Sequence, residues 1–248
     1  MRNFLPENPY RLRAYTEIFT ATIIWGVAGP VIKFTLAAFD PLIFLAYRFA
    51  LCALIAVLMT IVLGLQIPKS KTIIGLALLT GFLNTTLALG LLFFGFDKTS
   101  VVDAVLIGAT APIFVTIAGS LFLKEHVTAR ERIGIAIAFA GTVVTLLEPI
   151  LKGQTSGAFL GNTLVLSSVL VGAVVAILSK KILQENINPI TVTNVSFFIG
   201  FMTLTPILLL AYPTSEIINQ INSAPLPYHL GAWFMALFSG TIAYILWH

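Results

Sequence analysis

Uninterrupted apolar runs of about twenty residues recur along this chain and constrain its fold more than any other feature. Eight can be marked, at about 15–37, 42–64, 72–95, 101–123, 131–148, 160–180, 190–212 and 229–247. A helix rises ~1.5 Å per residue, so each run is close to the length needed to cross a hydrocarbon core of ~30 Å. Inside lipid every backbone polar group must be satisfied within the protein, which makes each run a helix. The 248-residue chain is 58% hydrophobic and 10% charged, against roughly 25% charged in an average soluble domain. It cannot cover a water-facing surface. The predicted fold is an all-α membrane protein, a polytopic helical bundle. Short connections, such as 39–41, 66–71, 96–100 and 124–130, make neighbouring spans antiparallel and leave no extramembrane domain.

Charge sets the orientation. Arg2, Arg11, Arg13, Lys69, Lys71, Lys124, Arg130, Arg132, Lys180 and Lys181 fall in segments on one side, and Lys33, Lys98 and Lys152 on the other. The positive-inside rule then places the N-terminus in the cytoplasm, in a plasma membrane of the bacterial inner-membrane type. His248 returns to the same side. The net charge of +4 is spread thinly, so it biases topology and is no nucleic-acid footprint. Cys52 is the single cysteine, which excludes an intramolecular disulfide and a cysteine metal site. The basic N-terminal segment leads into a long run without a small-residue cleavage site, which reads as a first span and not as a signal peptide.

A faint internal repeat is visible. Trp25-Gly26, Asp40-Pro41 and Arg48-Phe49 correspond in order to Val171-Gly172, Asn188-Pro189 and Ser196-Phe197, and Thr85–Leu89 to Gly240–Tyr244. The first copy fills five spans. After an odd number of spans the second copy starts from the opposite side, which gives an inverted repeat. The division expected is a cytoplasmic segment over 1–14, a first five-helix repeat over 15–148, an external loop over 149–159, and a second repeat over 160–248 with three spans.

These landmarks resemble the drug/metabolite transporter superfamily, in particular its EamA-type members. The residues that carry the likeness are Trp25-Gly26, Pro41, Arg48-Phe49, Ala111-Pro112-Ile113, Lys124-Glu125-His126, Gly134 and Gly141. The resemblance implies ten spans in two five-helix halves. Eight are present, and the second half lacks counterparts of Ala111-Pro112 and Glu125, so the chain reads as C-terminally truncated.

Arg48 is the only charge in the run from Pro41 to Gly64. It lies seven residues in, about 10 Å deep. A guanidinium there costs at least ~2.5 kcal/mol unless it faces protein or water and has a partner. Asp103 is the expected partner. Arg48, Asn84, Trp25 and Asp103 are the candidates for a central substrate cavity, with the guanidinium suited to a carboxylate. A structural ion pair or a snorkelling side chain is the plainer account of Arg48, and helix-to-helix bonding that of Asn84. Gly26 and Pro30 interrupt span one, and Pro112 and Pro206 break spans four and seven, as kink or hinge candidates. Glu125 belongs to the cytoplasmic loop after span four, as a salt bridge or a gate contact. Glu17, four residues after Arg13, reads as a helix pair.

No GxxxxGK[ST] is present and hence no ATP motor, there is no HExxH, and the three histidines are scattered. No cofactor is implied. The expectation is a secondary transporter of small organic solutes (metabolites, amino acids or drug-like compounds) that exports by alternating access. Its partners are the lipid bilayer and a small-molecule substrate, with no nucleic acid. Any proton or ion coupling would rest on Asp103, and a homodimer is a candidate assembly. The alternatives are a truncated, non-transporting membrane subunit or a multispan membrane enzyme.

Overall fold

A computed structural model of the chain describes residues 9–65, 70–124, 126–151, 156–185 and 187–247. Among these every regular element is helical. Eight helices are long and apolar enough to cross a membrane. They are Leu12–Thr35 (span one), Pro41–Leu63 (two), Lys71–Lys98 (three), Val101–Leu123 (four), Ala129–Leu151 (five), Gly157–Leu183 (six), Pro189–Ala211 (seven) and Leu226–Leu246 (eight). The polytopic bundle expected from the sequence is thus present, with boundaries close to the marked runs. One further helix, Thr214–Ser223, was not expected. It is too short and polar to span, and it links spans seven and eight with Ile217 buried beneath it. Successive spans alternate in direction and define two faces. Lys71, Leu183 and Pro189 mark the N-terminal face. Thr35, Pro41 and Leu226 mark the far face.

Local chemistry sets the ends. Pro41 and Pro189 each occupy a first helical turn, where a missing N–H is harmless and a fixed φ fits the helix. Asn188 caps span seven by accepting from the Ile190 N–H at 2.9 Å. Span two stops at Gly64, whose φ of 58° is left-handed and unfavourable for a side chain. Lys33 caps span three, donating to the carbonyls of Phe96, Asp97 and Thr99 at 2.6, 2.9 and 2.9 Å. Arg13 Nε meets Glu17 Oε1 at 2.8 Å, the helix pair expected.

Pro112 begins a second helical segment, Ala111–Leu123, after a turn at 109–110 that divides span four. Span one continues through Gly26 and Pro30, and span seven through Pro206. A proline removes one backbone bond, and around Pro206 the buried Leu204 and Leu208 hold the helix in place by packing.

Spans two and seven pack against each other at the centre. Span three packs on span six, and span eight on span one. Span eight also packs on span two, and span three on span seven. The pattern is unchanged when spans one, two and three are exchanged for six, seven and eight. Phe49 and Phe197, which the sequence aligns, face each other with ring centroids 6.1 Å apart. A Cβ on Gly200 of span seven would lie 2.9 Å from Thr85 of span three. The aligned contact, between Cys52 of span two and Gly240 of span eight, would put a Cβ 3.1 Å from the sulfur. Each close approach uses one glycine, on opposite partners. The likeness extends to backbone form, since span three is π-helical over Phe82–Ala88 and span eight over Met235–Ile242. Spans four and five lie on span six. There Asn162, fully buried, accepts from Thr99 and donates to the Thr145 carbonyl at 3.1 Å.

Candidate functional site

A π-helix shifts carbonyls out of the ordinary i→i−4 ladder and recurs at functional sites. On span eight those carbonyls are met by side chains from spans one and two. Arg48 Nε donates to the Met235 carbonyl at 3.1 Å, the Cys52 thiol to that of Ala236 at 3.6 Å, and Trp25 Nε1 to that of Ser239 at 3.1 Å. Arg48 is 2% exposed, with its guanidinium carbon 5.4 Å from the Phe49 ring centre and 5.7 Å from that of Phe93. Aromatic faces attract a cation, so the charge is held by two rings and a carbonyl. Among the described residues no carboxylate lies within 4.0 Å of it. Asp103 does not pair with it. That residue sits in the first turn of span four, its N–H bonded to Ser100 Oγ at 3.0 Å. The structure brings Arg48 and Trp25 together on span eight, as clamps, and leaves Asn84 and Asp103 apart from them. Asn84 lies half-buried on the π segment of span three, and its side-chain amide has no hydrogen-bond partner among the described residues.

A groove of about 440 Å³ lies between spans two, three and seven, in their halves nearer the N-terminal face. Its wall is apolar, formed by residues such as Ala56, Ile74, Leu78, Val195 and Phe198. The polar side chains on it are Thr60, Thr191 and Asn194. Asn194 Nδ2 donates to the Ala56 carbonyl at 3.2 Å and to Thr60 Oγ1 at 3.0 Å, tying spans two and seven. Thr191 Oγ1 is buried and has no hydrogen-bond partner among the described residues. Arg48, Asn84, Trp25 and Asp103 do not line this groove.

The sequence register carries the groove onto the far face. With Pro41 aligned to Pro189 and Phe49 to Phe197, Val195 corresponds to Tyr47. With Ala88 aligned to Ala243, Ile74 corresponds to His229 and Leu78 to Trp233. These three residues close on one another. Trp233 Nε1 donates to Tyr47 Oη at 2.7 Å, and Tyr47 Oη lies 3.4 Å from His229 Nδ1. Phe39 meets the histidine ring edge-on at 5.5 Å. Asp40 and Gln220 hold the linking helix to this end: the Asp40 N–H donates to Gln220 Oε1 at 3.0 Å and Gln220 Nε2 to Asp40 Oδ2 at 2.6 Å. An aromatic cluster thus stands on the far face at the positions that the register pairs with Val195, Ile74 and Leu78 of the groove.

Sequence reasoning did not single out Tyr47, Trp233 or Thr191. Extending the repeat register by a few residues at each end would have paired the first two with Val195 and Leu78. Glu125 lies outside the described residues, as do Arg2, Lys69, Lys152, Gly153 and His248. His126 and Arg132 line a second crevice, of about 410 Å³, at the turn between spans four and five.

The model of the EamA-like transporter family matches residues 12–147. An uncharacterized transporter of Archaeoglobus fulgidus is 31% identical over 79% of this chain and 68% of its own length. The uncharacterized transporter YyaM of Bacillus subtilis is 25% identical over 96% of this chain and 77% of its own. An uncharacterized transporter of Methanothermobacter thermautotrophicus is 27% identical over 95% and 71%. A solved crystal structure shares the fold, with a TM-score of 0.60 over 94% of this chain and 77% of its own at 15% identity.

Proposed function

The chain belongs to the EamA-like transporter family, and from that premise we propose that it carries small organic solutes (metabolites, amino acids or drug-like compounds) by alternating access. The family is one of transporters and not of enzymes, and the eight apolar helices make the chain a multi-pass membrane protein.

One contrast supports the mechanism: the sequence register pairs an open groove towards the N-terminal face with a closed aromatic cluster on the far face. In an inverted repeat, letting the halves exchange conformations turns a molecule open on one face into one open on the other. The exchangeable packing of spans one to three and six to eight supports this, as do the matching π segments. The lysines and arginines gathered towards the N-terminal face support a cytoplasmic orientation for it, and we read the membrane as a plasma membrane. The molecule is then open inward and latched outward, the state in which an exporter loads. The reaction needs no covalent chemistry, only two conformations whose energies differ by a few kcal/mol.

The test is flux of a labelled metabolite panel through proteoliposomes. Cysteines replace Val195 and Leu78 on a Cys52→Ala background, so that a reducible thiol cross-linker can hold the groove shut. Saturable flux that stops on cross-linking and returns on reduction is the expected result. Flux indifferent to the cross-link would overturn the mechanism.

A further inference from the structure

Resting on the transporter reading above, the geometry points to the chemical class that the N-terminal-face groove takes: an uncharged small solute with an apolar body and one hydroxyl or amide group. Thr191 and Asn194 are its polar contacts.

The volume of about 440 Å³ lies within the range of about 300–1,000 Å³ typical of small-molecule sites. Among the described residues no charged side chain lines the groove. An ion moved into such a wall loses several kcal/mol of hydration and would meet no opposite charge. Arg48, the residue expected to receive a carboxylate, is committed to the Met235 carbonyl and two rings. The groove therefore discriminates against the anionic solutes that the sequence suggested.

Its polar atoms are few and specific. Most span hydroxyls bond a carbonyl of their own helix, as Thr60, Thr85, Ser196 and Thr203 do. Thr191 does not: it stands in the first turn of span seven, and the Asn188 carbonyl three residues before it is taken by the N–H groups of Thr191 and Val192. Its hydroxyl is buried, unpartnered and on the groove wall. A buried hydroxyl without a partner is destabilising, a cost that a ligand's polar group would recover. Asn194 donates both its bonds to span two, which leaves Oδ1 as an acceptor three residues along the same helix. A hydroxyl or amide can satisfy both atoms while the apolar body lies along the groove. From Thr191 to Ile199 that is about 12 Å at ~1.5 Å per residue. Val57, Ile61 and Leu78 on the wall are 46%, 73% and 43% exposed, so the groove opens sideways and such a solute can enter from the leaflet.

The test is photolabelling of the full chain in phospholipid nanodiscs with a diazirine-bearing octanol, with labelled residues read by peptide mass spectrometry. The expected result is saturable labelling at the groove, displaced by 1-octanol and not by ionised octanoate. Thr191→Val, which keeps the side chain's shape, should weaken the labelling about twofold to tenfold, the loss of one neutral hydrogen bond. Leu78→Trp, which installs the latch residue of the far face, should abolish it. Equal displacement by octanoate would overturn the proposal. So would unsaturable labelling spread over lipid-facing residues. Displacement by added phosphatidylglycerol but not by octanol would assign the groove to a lipid chain and overturn it as well. Because labelling reads binding and not flux, groove labelling without flux would sink the transporter reading alone. Cross-link-sensitive flux with octanoate competing at the groove would sink this inference alone.

Discussion

Tyr47→Phe removes the one atom that joins the far-face latch. Tyr47 Oη accepts from Trp233 Nε1 at 2.7 Å and lies 3.4 Å from His229 Nδ1. On opening, all three groups gain water, so each bond counts at its net value of about 0.5–1.5 kcal/mol. Two bonds give about 1–3 kcal/mol, and the population open on the far face should rise about 5-fold to 150-fold. Trp233→Phe removes one bond and should give about half that free energy. The two substitutions share the Trp233–Tyr47 bond, so the double variant should match Tyr47→Phe and not the sum of the two. The assay is the labelling rate of a cysteine at Ala50, on a Cys52→Ala background, by a membrane-impermeant thiol reagent. Ala50 is the repeat counterpart of Phe198 on the open groove, so it should be wetted when the far crevice opens. With the closed state dominant, that rate tracks the open fraction. A rate unchanged or slowed in Tyr47→Phe, or strictly additive effects, would refute the latch.

Other consequences follow from packing. Gly200→Val drives a side chain into Phe49 and Thr85, where even a Cβ would lie 2.8–2.9 Å away. It should destabilise by about 1–3 kcal/mol in detergent unfolding, and Thr85→Gly should restore much of the loss. Arg48→Ala should cost about 2 kcal/mol more than Arg48→Met, because an apolar chain of similar length fills the site while alanine leaves a cavity. Equal losses in unfolding would make the charge, and not the volume, the clamp. Lys33→Met uncaps three carbonyls at and just beyond the end of span three and should cost about 1–3 kcal/mol without altering groove photolabelling.

Much of the fold was legible because lipid removes alternatives. A run of twenty apolar residues has one way to satisfy its backbone, so all eight spans could be read directly. The helix Thr214–Ser223 was missed because its sequence, TSEIINQINS, carries a single short apolar stripe that fixes neither helix nor loop on its own. The faint repeat rests on prolines and an aromatic pair, and the structure places Phe49 against Phe197 and a π segment in each of spans three and eight. The site was harder. Arg48 was rightly expected to need partners, but its partners are a π-segment carbonyl and aromatic faces, and neither leaves a signature in spacing. Asp103 shares its depth on paper but belongs to a span at the edge of the bundle. The latch escaped because Tyr47, His229 and Trp233 are ordinary residues singly. Only their alignment with Val195, Ile74 and Leu78 sets this cluster against the open groove.

The most direct test of alternation is a pair of distances in the same protein, measured by pulsed electron resonance between spin labels. Labels at Ile61 and Gly75 straddle the N-terminal-face groove, and those at Leu209 and Leu230 straddle its far-face counterpart, each pair on a Cys52→Ala background. Tyr47→Phe should lengthen the far pair and shorten the N-terminal pair together, in matching fractions of molecules. Distances that stay fixed, or that lengthen on both faces at once, would contradict a transporter that opens one crevice by closing the other.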